Sequence, residues 1–523
     1  MLIDLTQAAE LPARPDIVVV GGGAVGLATA VDLARGGQRV VVLEAGSRSL
    51  SPASQGLFEN AVSTGYPLEG LHLGRFRLLG GTTNFWAGQL VRFDPIVFEE
   101  RPWVPDGGWP ISRSDLDDGY ERAQDLIGLK KRLEDDQVWE RLKVAPPDPG
   151  SDLDYFFTRW APEPKFARLF ESDIATNANL QVVLNAPVVA LEAGADGKVT
   201  AVVIASANGQ RQRLEAGRFI LAQGTIEIAR LLMVPLADGR AAPWSGNPRL
   251  GRGFLDHVDY YAGTVTPIDK ARFHQVFDSS FFDGLKYLPK LKLSEAAQRE
   301  HQLLGIAAHF IFNSSFADDL SALKLFARGI LAGKIDGNFL RYPGRLIPLA
   351  RIAVPMIARY LRYRRTYNPA DKGIQLRLTG EQISVPESGM RLTDKQDALG
   401  MPIIEMDWRV DGVELETMAR FGAMLGEYLE GQGLAKVELD PVLLNRDPAF
   451  LSKIDDANHH MGMARMGHTA EDGVVDQNLK VFGTSNLFVT GAAVFRATGF
   501  ANPTLTGIAL GMRLSQAIQA GDV

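Results

Sequence analysis

Asn458-His459-His460-Met461-Gly462-Met463-Ala464-Arg465-Met466-Gly467 is the densest polar cluster of the chain, and it holds two of only 8 histidines. A neutral imidazole accepts a proton near pH 7, so adjacent histidines in a late, glycine-rich segment suit general-base chemistry; capping or filling a turn is the alternative. A second chemical feature stands at the other end. The β-branched run Ile17 to Val20 feeds into Gly21-x-Gly23-x-x-Gly26, then a helical pattern (Leu27, Ala30, Val31, Leu33, Ala34), Gly36-Gly37, and an apolar strand Val40 to Leu43 ending on Glu44. Gly21 permits a tight strand-to-helix turn, Gly23 lets backbone approach a pyrophosphate, and Gly26 allows close packing of helix on strand. Free amides at the helix N-terminus bind the anion, and Glu44 stands where a carboxylate accepts hydrogen bonds from ribose hydroxyls. All the parts occur in order, which predicts a dinucleotide site.

The elements that must position these groups spread over the whole chain. At 523 residues it exceeds one core, with 46% hydrophobic and 22% charged residues, ordinary for a globular protein. A net charge of -7 and a pI near 5.7 argue against a nucleic-acid partner. The absence of cysteine excludes disulfides, zinc–thiolate sites, iron–sulfur clusters and cysteine-linked flavin. The N-terminus lacks the pattern of a signal peptide, and no apolar run reaches the about 20 residues of a membrane span, so the expected location is cytoplasmic.

Residues 50–100 read as an ordered glycine-rich loop region. Trp109 to Ser112 reads as a turn into a helix (Leu116, Tyr120, Ala123, Leu126) with Ser112 as N-cap, and 133–155 as an exposed connection. Strand patterns fill 180–222. The last of them ends near Gly224 ahead of a helix, a second strand–glycine–helix junction on the same side of the sheet as the first. Strand candidates recur through 258–450, and 455–523 returns to glycine-rich strand and helix character. Nucleotide-binding features thus occur at both ends and in the middle, with a second domain threaded through the first. The expected division is 1–100, 178–257 and 455–523 for the nucleotide-binding domain, with 101–177 and 258–454 forming the substrate domain and its connection.

Downstream of the histidines lie Val474-Val475-Asp476, a strand at Asn486 to Val489, Gly491, and Ala501-Asn502-Pro503-Thr504-Leu505-Thr506 opening a helix. With these, the chain resembles the glucose–methanol–choline oxidoreductase family. Gly80 to Trp86 (GGTTNFW) is similar to that family's flavin-contacting loop, and Arg218 to Leu232 to its mid-chain segment. The resemblance covers about 1–112, 180–257 and 455–523, and looks closest to the pyranose oxidase and bacterial glycoside dehydrogenase-oxidase branch. It implies an α/β chain, α+β overall: a glutathione-reductase-like FAD-binding Rossmann domain with a mixed sheet, interleaved with an antiparallel-sheet substrate domain. It further implies an FAD-dependent alcohol oxidoreductase that oxidises a secondary hydroxyl of a sugar or glycoside to a keto-sugar by hydride transfer to flavin N5.

By motif, His459 is the base, Asn502 its partner on the substrate oxygen, and His460 the fallback if register slips by one. FAD is expected against Gly21, Gly23, Ala24, Gly26, Glu44, Ala45, Gly81, Thr82, Asn84, Val188, Gly224, Gly491, Ala492, Asn502 and Thr504. Its attachment is expected to be non-covalent, because Phe85 stands where pyranose oxidases carry the linking histidine. Met463 and Arg496 depart from the family pattern, and Arg496 is expected to place a cation near the site's mouth. Asp256-His257 is read as a domain-joining turn rather than a dyad, and Arg75 and Arg77 as solvated or steadying phosphate. No metal site is expected.

The expected partners are a small sugar or glycoside and an electron acceptor, oxygen or a quinone-like molecule. Two alternatives stay open: oxidation of a sterol or other bulky alcohol, and a non-catalytic flavin-fold binding protein. Residues 338–367 carry seven arginines and no acid among apolar residues. Pro348, Pro355 and Arg351 interrupt that apolar run, which rules out a spanning helix and leaves a lid, an oligomer arm or, less favoured, a membrane-surface stretch.

Overall fold

The computed structural model describes residues 1–7, 11–205, 209–315 and 346–523. Its nucleotide-binding half is built on a six-stranded sheet in the order Leu2–Asp4, Leu180–Leu184, Val40–Leu43, Ile17–Val20, Arg218–Leu221 and Leu487–Val489. Every pairing in it is parallel, where a mixed sheet was expected. Ile17 to Val20 and Val40 to Leu43 are buried throughout. This is what continuous apolar runs predict for strands covered on both faces, and parallel strands need helical crossovers to cover them. Helix Ala24–Arg35 supplies the first crossover and packs beside helix Pro503–Ala520.

The 180–222 stretch divides between two sheets. Leu180–Leu184 joins the parallel sheet, whereas Val188–Ala193, Val199–Ala205 and Arg211–Glu215 form a separate antiparallel sheet of three. Asn185, at φ 54°, sits in the turn where the chain leaves one for the other. Segment 133–155 is more than an exposed connection. It contains helix Asp135–Leu142, closed by a reciprocal Glu134/Gln137 capping box, with Val138 fully buried. Ser112 and Asp115 bond each other's backbone amides ahead of the 3-10 turn Ser114–Leu116 and helix Asp117–Leu126.

The second half is a large antiparallel sheet running Ala435–Leu439, Val258–Pro267, Ile374–Gly380, Ile306–Phe312, Leu285–Leu293, Leu153–Trp160 and Gln89–Leu90. Helix Val413–Gly431 covers part of it. Residues 338–345 of the arginine-rich segment lie outside the described residues, and the remainder is helix Leu346–Tyr363 followed by four non-helical residues, of which Arg365 bridges Ser280. Pro348 falls in its first turn, where a missing amide costs no intrahelical bond, and the helix continues through Pro355. Arg359 pairs with Asp278 at 2.7 Å and Arg365 is buried, while Val354, Ile357 and Leu361 are exposed. No helix among the described residues is long and apolar enough to cross a membrane.

Candidate active site

A single long cavity of about 840 Å³ runs from the first glycine turn to the histidine cluster. Gly21 opens it at φ 105°, and a Cβ there would stand 2.6 Å from Gln223 Cα, so the first and second strand–helix junctions touch through this glycine. Gly26 is as tightly fixed: its Cβ would meet the Gly21 carbonyl at 2.0 Å. Gly23 faces open space, the bare approach that a pyrophosphate requires. Helices starting at Ala24, Thr225 and Pro503 all begin on the cavity without a side-chain N-cap, leaving backbone amides for a ligand.

Glu44 accepts amides from Gly22 and Gly46, both at 2.8 Å, so it braces the turn as well as lining the cavity. Burial pushes its carboxyl upward, opposed by these amides and by Arg77. Of the residues expected to hold the nucleotide, Gly21, Gly23, Ala24, Glu44, Ala45, Gly81, Thr82, Val188, Gly224, Gly491, Ala492, Asn502 and Thr504 line the cavity. Gly26 and Asn84 do not. Gly26 is packed beneath the turn, and the Asn84 amide donates to the Leu79 and Gly81 carbonyls, holding the loop instead.

Arg75 and Arg77 line the same space and are buried rather than solvated. Arg75 pairs with Glu227 at 3.0 Å, and burial still pulls it down to about 10. Phe85 is exposed at the cavity wall and stacks on Phe76. Arg496 is not at the mouth. It is buried against the Met466 carbonyl and Asp472, and does not line the cavity.

Two short strands assemble the reactive end. Phe254–Leu255 pairs antiparallel with Met461–Gly462, and Gly462, at φ 81°, is held so close that a Cβ would meet the Gly253 carbonyl at 2.2 Å. Continuing that register past Leu255 and Met461 sets His257 opposite His459. Their Nδ1 atoms lie 2.8 Å apart. The buried Asp256 carboxylate accepts the backbone amides of His257, Ala457 and His459, clamping the two segments together. Asp456 likewise accepts the amides of Glu69, Gly70 and Asn458. Asp256, Asp456 and His460 bring potential ligand atoms within 4.8 Å of one another, but these carboxylates are engaged as backbone anchors.

Pro503 at the first helical position holds Asn502 extended (φ -51°, ψ 130°), and its Nδ2 lies 3.2 Å from His459 Nε2. An amide nitrogen only donates, so Nε2 is the bare nitrogen of that ring and Nδ1 carries the proton. Nδ1–H then points at His257 Nδ1, whose own proton must sit on Nε2, an atom buried without a hydrogen-bond partner. Burial, reinforced by His257, His460 and Arg377, holds His459 well below the ordinary imidazole range. The arrangement is a neutral imidazole with a free lone pair, beside an amide donor, on a cavity wall. His460 lines the same cavity, but it is His459 that Asn502 meets. The His460 ring packs on Phe254, its Nε2 is buried without a partner, and its carbonyl accepts the Thr225 hydroxyl at 2.6 Å.

Sequence reasoning assigned Asp256 and His257 to a joining turn and so missed their grip on His459. The signal was present only as one Asp-His pair; the short strand pairing that unites it with the late histidines has no periodic pattern. The Arg101–Glu381 pair also went unseen. It is fully buried and bidentate at 2.6 and 2.8 Å, with Glu381 also accepting the Gly305 amide behind the His257 wall.

Comparison with known proteins bears on the fold and the cofactor. Residues 385–511 match the GMC oxidoreductase family model, and residues 16–248 match that of FAD dependent oxidoreductases. The chain is 23% identical over 348 residues to the fructose dehydrogenase large subunit of Gluconobacter japonicus, covering 66% of this chain and 55% of that protein. It therefore spans about half the length of that relative. Identity to the 2-methyl-1,2-propanediol dehydrogenase of Mycolicibacterium austroafricanum is 22% over 583 residues, covering 97% and 95%. A stretch of 119 residues is 32% identical to the C-glycoside 3-oxidase of Microbacterium trichothecenolyticum, covering 22% and 21%. Among solved structures, a formate oxidase superposes with a TM-score of 0.58 at 15% identity over 98% of this chain and 99% of its own, a likeness of fold.

Proposed function

The chain belongs to the glucose–methanol–choline oxidoreductase family, with FAD as its cofactor, and we propose that it oxidises a secondary hydroxyl of a sugar or glycoside to a ketone. The observation that carries this reading is the His459–Asn502 pair on the wall of the cavity that also contains the glycine turn. Bound FAD would supply the hydride acceptor. His459 Nε2 takes the hydroxyl proton as hydride leaves the carbinol carbon, and the Asn502 amide turns to the oxygen as it gains negative charge. His257 holds the proton of His459 on Nδ1, so that Nε2 stays bare. Gly21, Gly23, Ala24, Glu44 and Gly491 to Ala492 hold the nucleotide, without a covalent link at Phe85.

The sugar assignment draws on the fructose dehydrogenase and C-glycoside 3-oxidase likenesses. The electron acceptor in this reading is oxygen or a quinone-like molecule, and the enzyme works in the cytoplasm. The domain division 1–100, 178–257 and 455–523 against 101–177 and 258–454 belongs to the same reading; Gln89–Leu90, however, pairs with the substrate-side sheet. Anaerobic mixing of the yellow protein with a panel of sugars and glycosides tests the function. Bleaching by members of that panel is expected, and bleaching only by apolar alcohols such as sterols would overturn the sugar reading. A flavin that no alcohol reduces would favour a non-catalytic binding protein.

A further inference from the structure

One row of the large sheet carries charge toward the reactive end. Tyr261 pairs with Arg377, and Arg377 with His309. The antiparallel pairing of Lys292 with Ala307 sets Lys290 opposite His309, and Lys290 in turn opposes Phe156. Directly opposed residues share a face, so these five side chains form one row. Its ends show where that face looks. Tyr261 and Arg377 line the cavity together with His459 and Asn502. Phe156 packs at 5.2 Å on Phe500, two residues before Asn502. His309, in the middle, lies close enough to His459 for the two rings to influence each other's charge.

Lys290 is the unbalanced member. It is 4% exposed, and its Nζ stands 2.9 Å from His309 Nδ1. Among the described residues no carboxylate lies within ion-pair distance of it. The neighbouring cations are different: Lys292 reaches Asp94 at 2.7 Å, and Arg377 is bound to Asp259. A buried ammonium without a counter-ion is unfavourable, and here burial and Lys286 pull Lys290 down to about 7. His309 cannot balance the charge, since burial and Lys290 keep its imidazole neutral. The Arg377 Nε is also buried without a partner. A lysine, an imidazole and an arginine Nε thus follow one another along one row of the sheet, with Arg377 on the cavity wall and His309 and Lys290 behind it, His309 next to the proposed proton acceptor. What Lys290 lacks, among the described residues, is an anion.

We propose that the Arg377–His309–Lys290 row binds a carboxylate carried by the substrate, so that sugar acids and their glycosides are preferred over neutral sugars. The proposal rests on the reading of His459 and Asn502 as the hydroxyl site. Three neighbouring strands set the Arg377 and Lys290 backbones roughly 10 Å apart, a span that one sugar unit can bridge with its hydroxyl at His459 and its acid toward Lys290. A charge-assisted bond from a buried ammonium to a carboxylate is both strong and selective.

Calorimetric titration of the dithionite-reduced holoenzyme, which cannot turn a substrate over, tests this with D-glucuronate and D-glucose. Glucuronate should bind tighter by roughly tenfold or more, and acetate should compete with it. Lys290→Met should abolish most of that advantage, and Lys290→Arg should keep it, with flavin content and circular dichroism confirming the fold of each. Equal binding of the two sugars by the wild type, an advantage that survives Lys290→Met, or failure of acetate to compete would each overturn the proposal. Binding is read without turnover, so the two readings fail separately. Tight, Lys290-dependent glucuronate binding in a protein that no sugar can reduce would sink the oxidation reading and leave the subsite standing.

Discussion

Replacing His257 by Phe removes the acceptor for the His459 Nδ1 proton while keeping a ring in a fully buried site. The 2.8 Å contact is the only hydrogen bond to His459 Nδ1 among the described residues. Its loss leaves a buried donor unpaired, which costs about 1–3 kcal/mol. The ring removes the unpaired donor only by moving the proton to Nε2, where it faces the Asn502 donor and the lone pair that would accept the hydroxyl proton is gone. If that cost falls on the reactive tautomer, 1.36 kcal/mol per decade gives a rate loss of roughly 5- to 150-fold. Anaerobic stopped-flow reduction, at matched flavin content, should show this fall in the limiting rate with substrate affinity altered less than about threefold. His257→Gln, which restores a carbonyl acceptor, should recover part of it. Nitrogen-15 NMR of the ring should report protonated Nδ1 in the wild type and a mixture in His257→Phe. Wild-type reduction by fully flavinylated His257→Phe would refute the argument that this residue sets the tautomer.

Three further outcomes are expected. Acid or heat precipitation should release yellow flavin into the supernatant, because Phe85 offers no linking nitrogen; flavin retained in the pellet would show a covalent bond. Glu44→Ala should lower flavin retention without changing substrate preference, since it strips the Gly22 and Gly46 amides of their acceptor next to the cavity, and unchanged flavin content would make Glu44 incidental. The rate of flavin reduction should stay flat down to and below the ordinary imidazole pKa of about 6.5: burial lowers the His459 pKa, so the neutral base persists into more acidic solution. An acid limb near neutrality would contradict that environment.

The parts that could be read from sequence are those in which a local pattern dictates local geometry. The apolar runs at Ile17 to Val20 and Val40 to Leu43, and the glycines between them, specify strand, turn and helix without help from distant residues. Asn502 was legible only through the resemblance of Ala501 to Thr506 to the family's motif, since no local pattern marks an asparagine before a helix as a substrate partner. Other features depend on register between segments hundreds of residues apart. The opposition of His257 and His459 follows from a two-residue strand pair at Phe254–Leu255 and Met461–Gly462, too short for any periodicity to reveal. The Arg377–His309–Lys290 row depends on strand order in the large sheet, which alternation along single strands does not encode. Arg75, Arg77 and Arg496 were misjudged for a related reason. Their burial depends on Glu227, Glu44 and Asp472, partners that folding brings in from elsewhere in the chain.

The central claim is that His459, and not His460, accepts the substrate proton. Single-turnover flavin bleaching by an oxidisable sugar, compared among His459→Ala, Asn502→Ala and His460→Ala with flavin content matched, tests it most directly. His459→Ala should slow bleaching by about 10²–10⁴-fold. Asn502→Ala should slow it by a smaller factor, and His460→Ala, whose ring packs on Phe254, should be mild. A crippled His460→Ala beside a nearly normal His459→Ala would contradict the assignment of the base, and wild-type bleaching in all three would remove the chemistry from this cluster altogether.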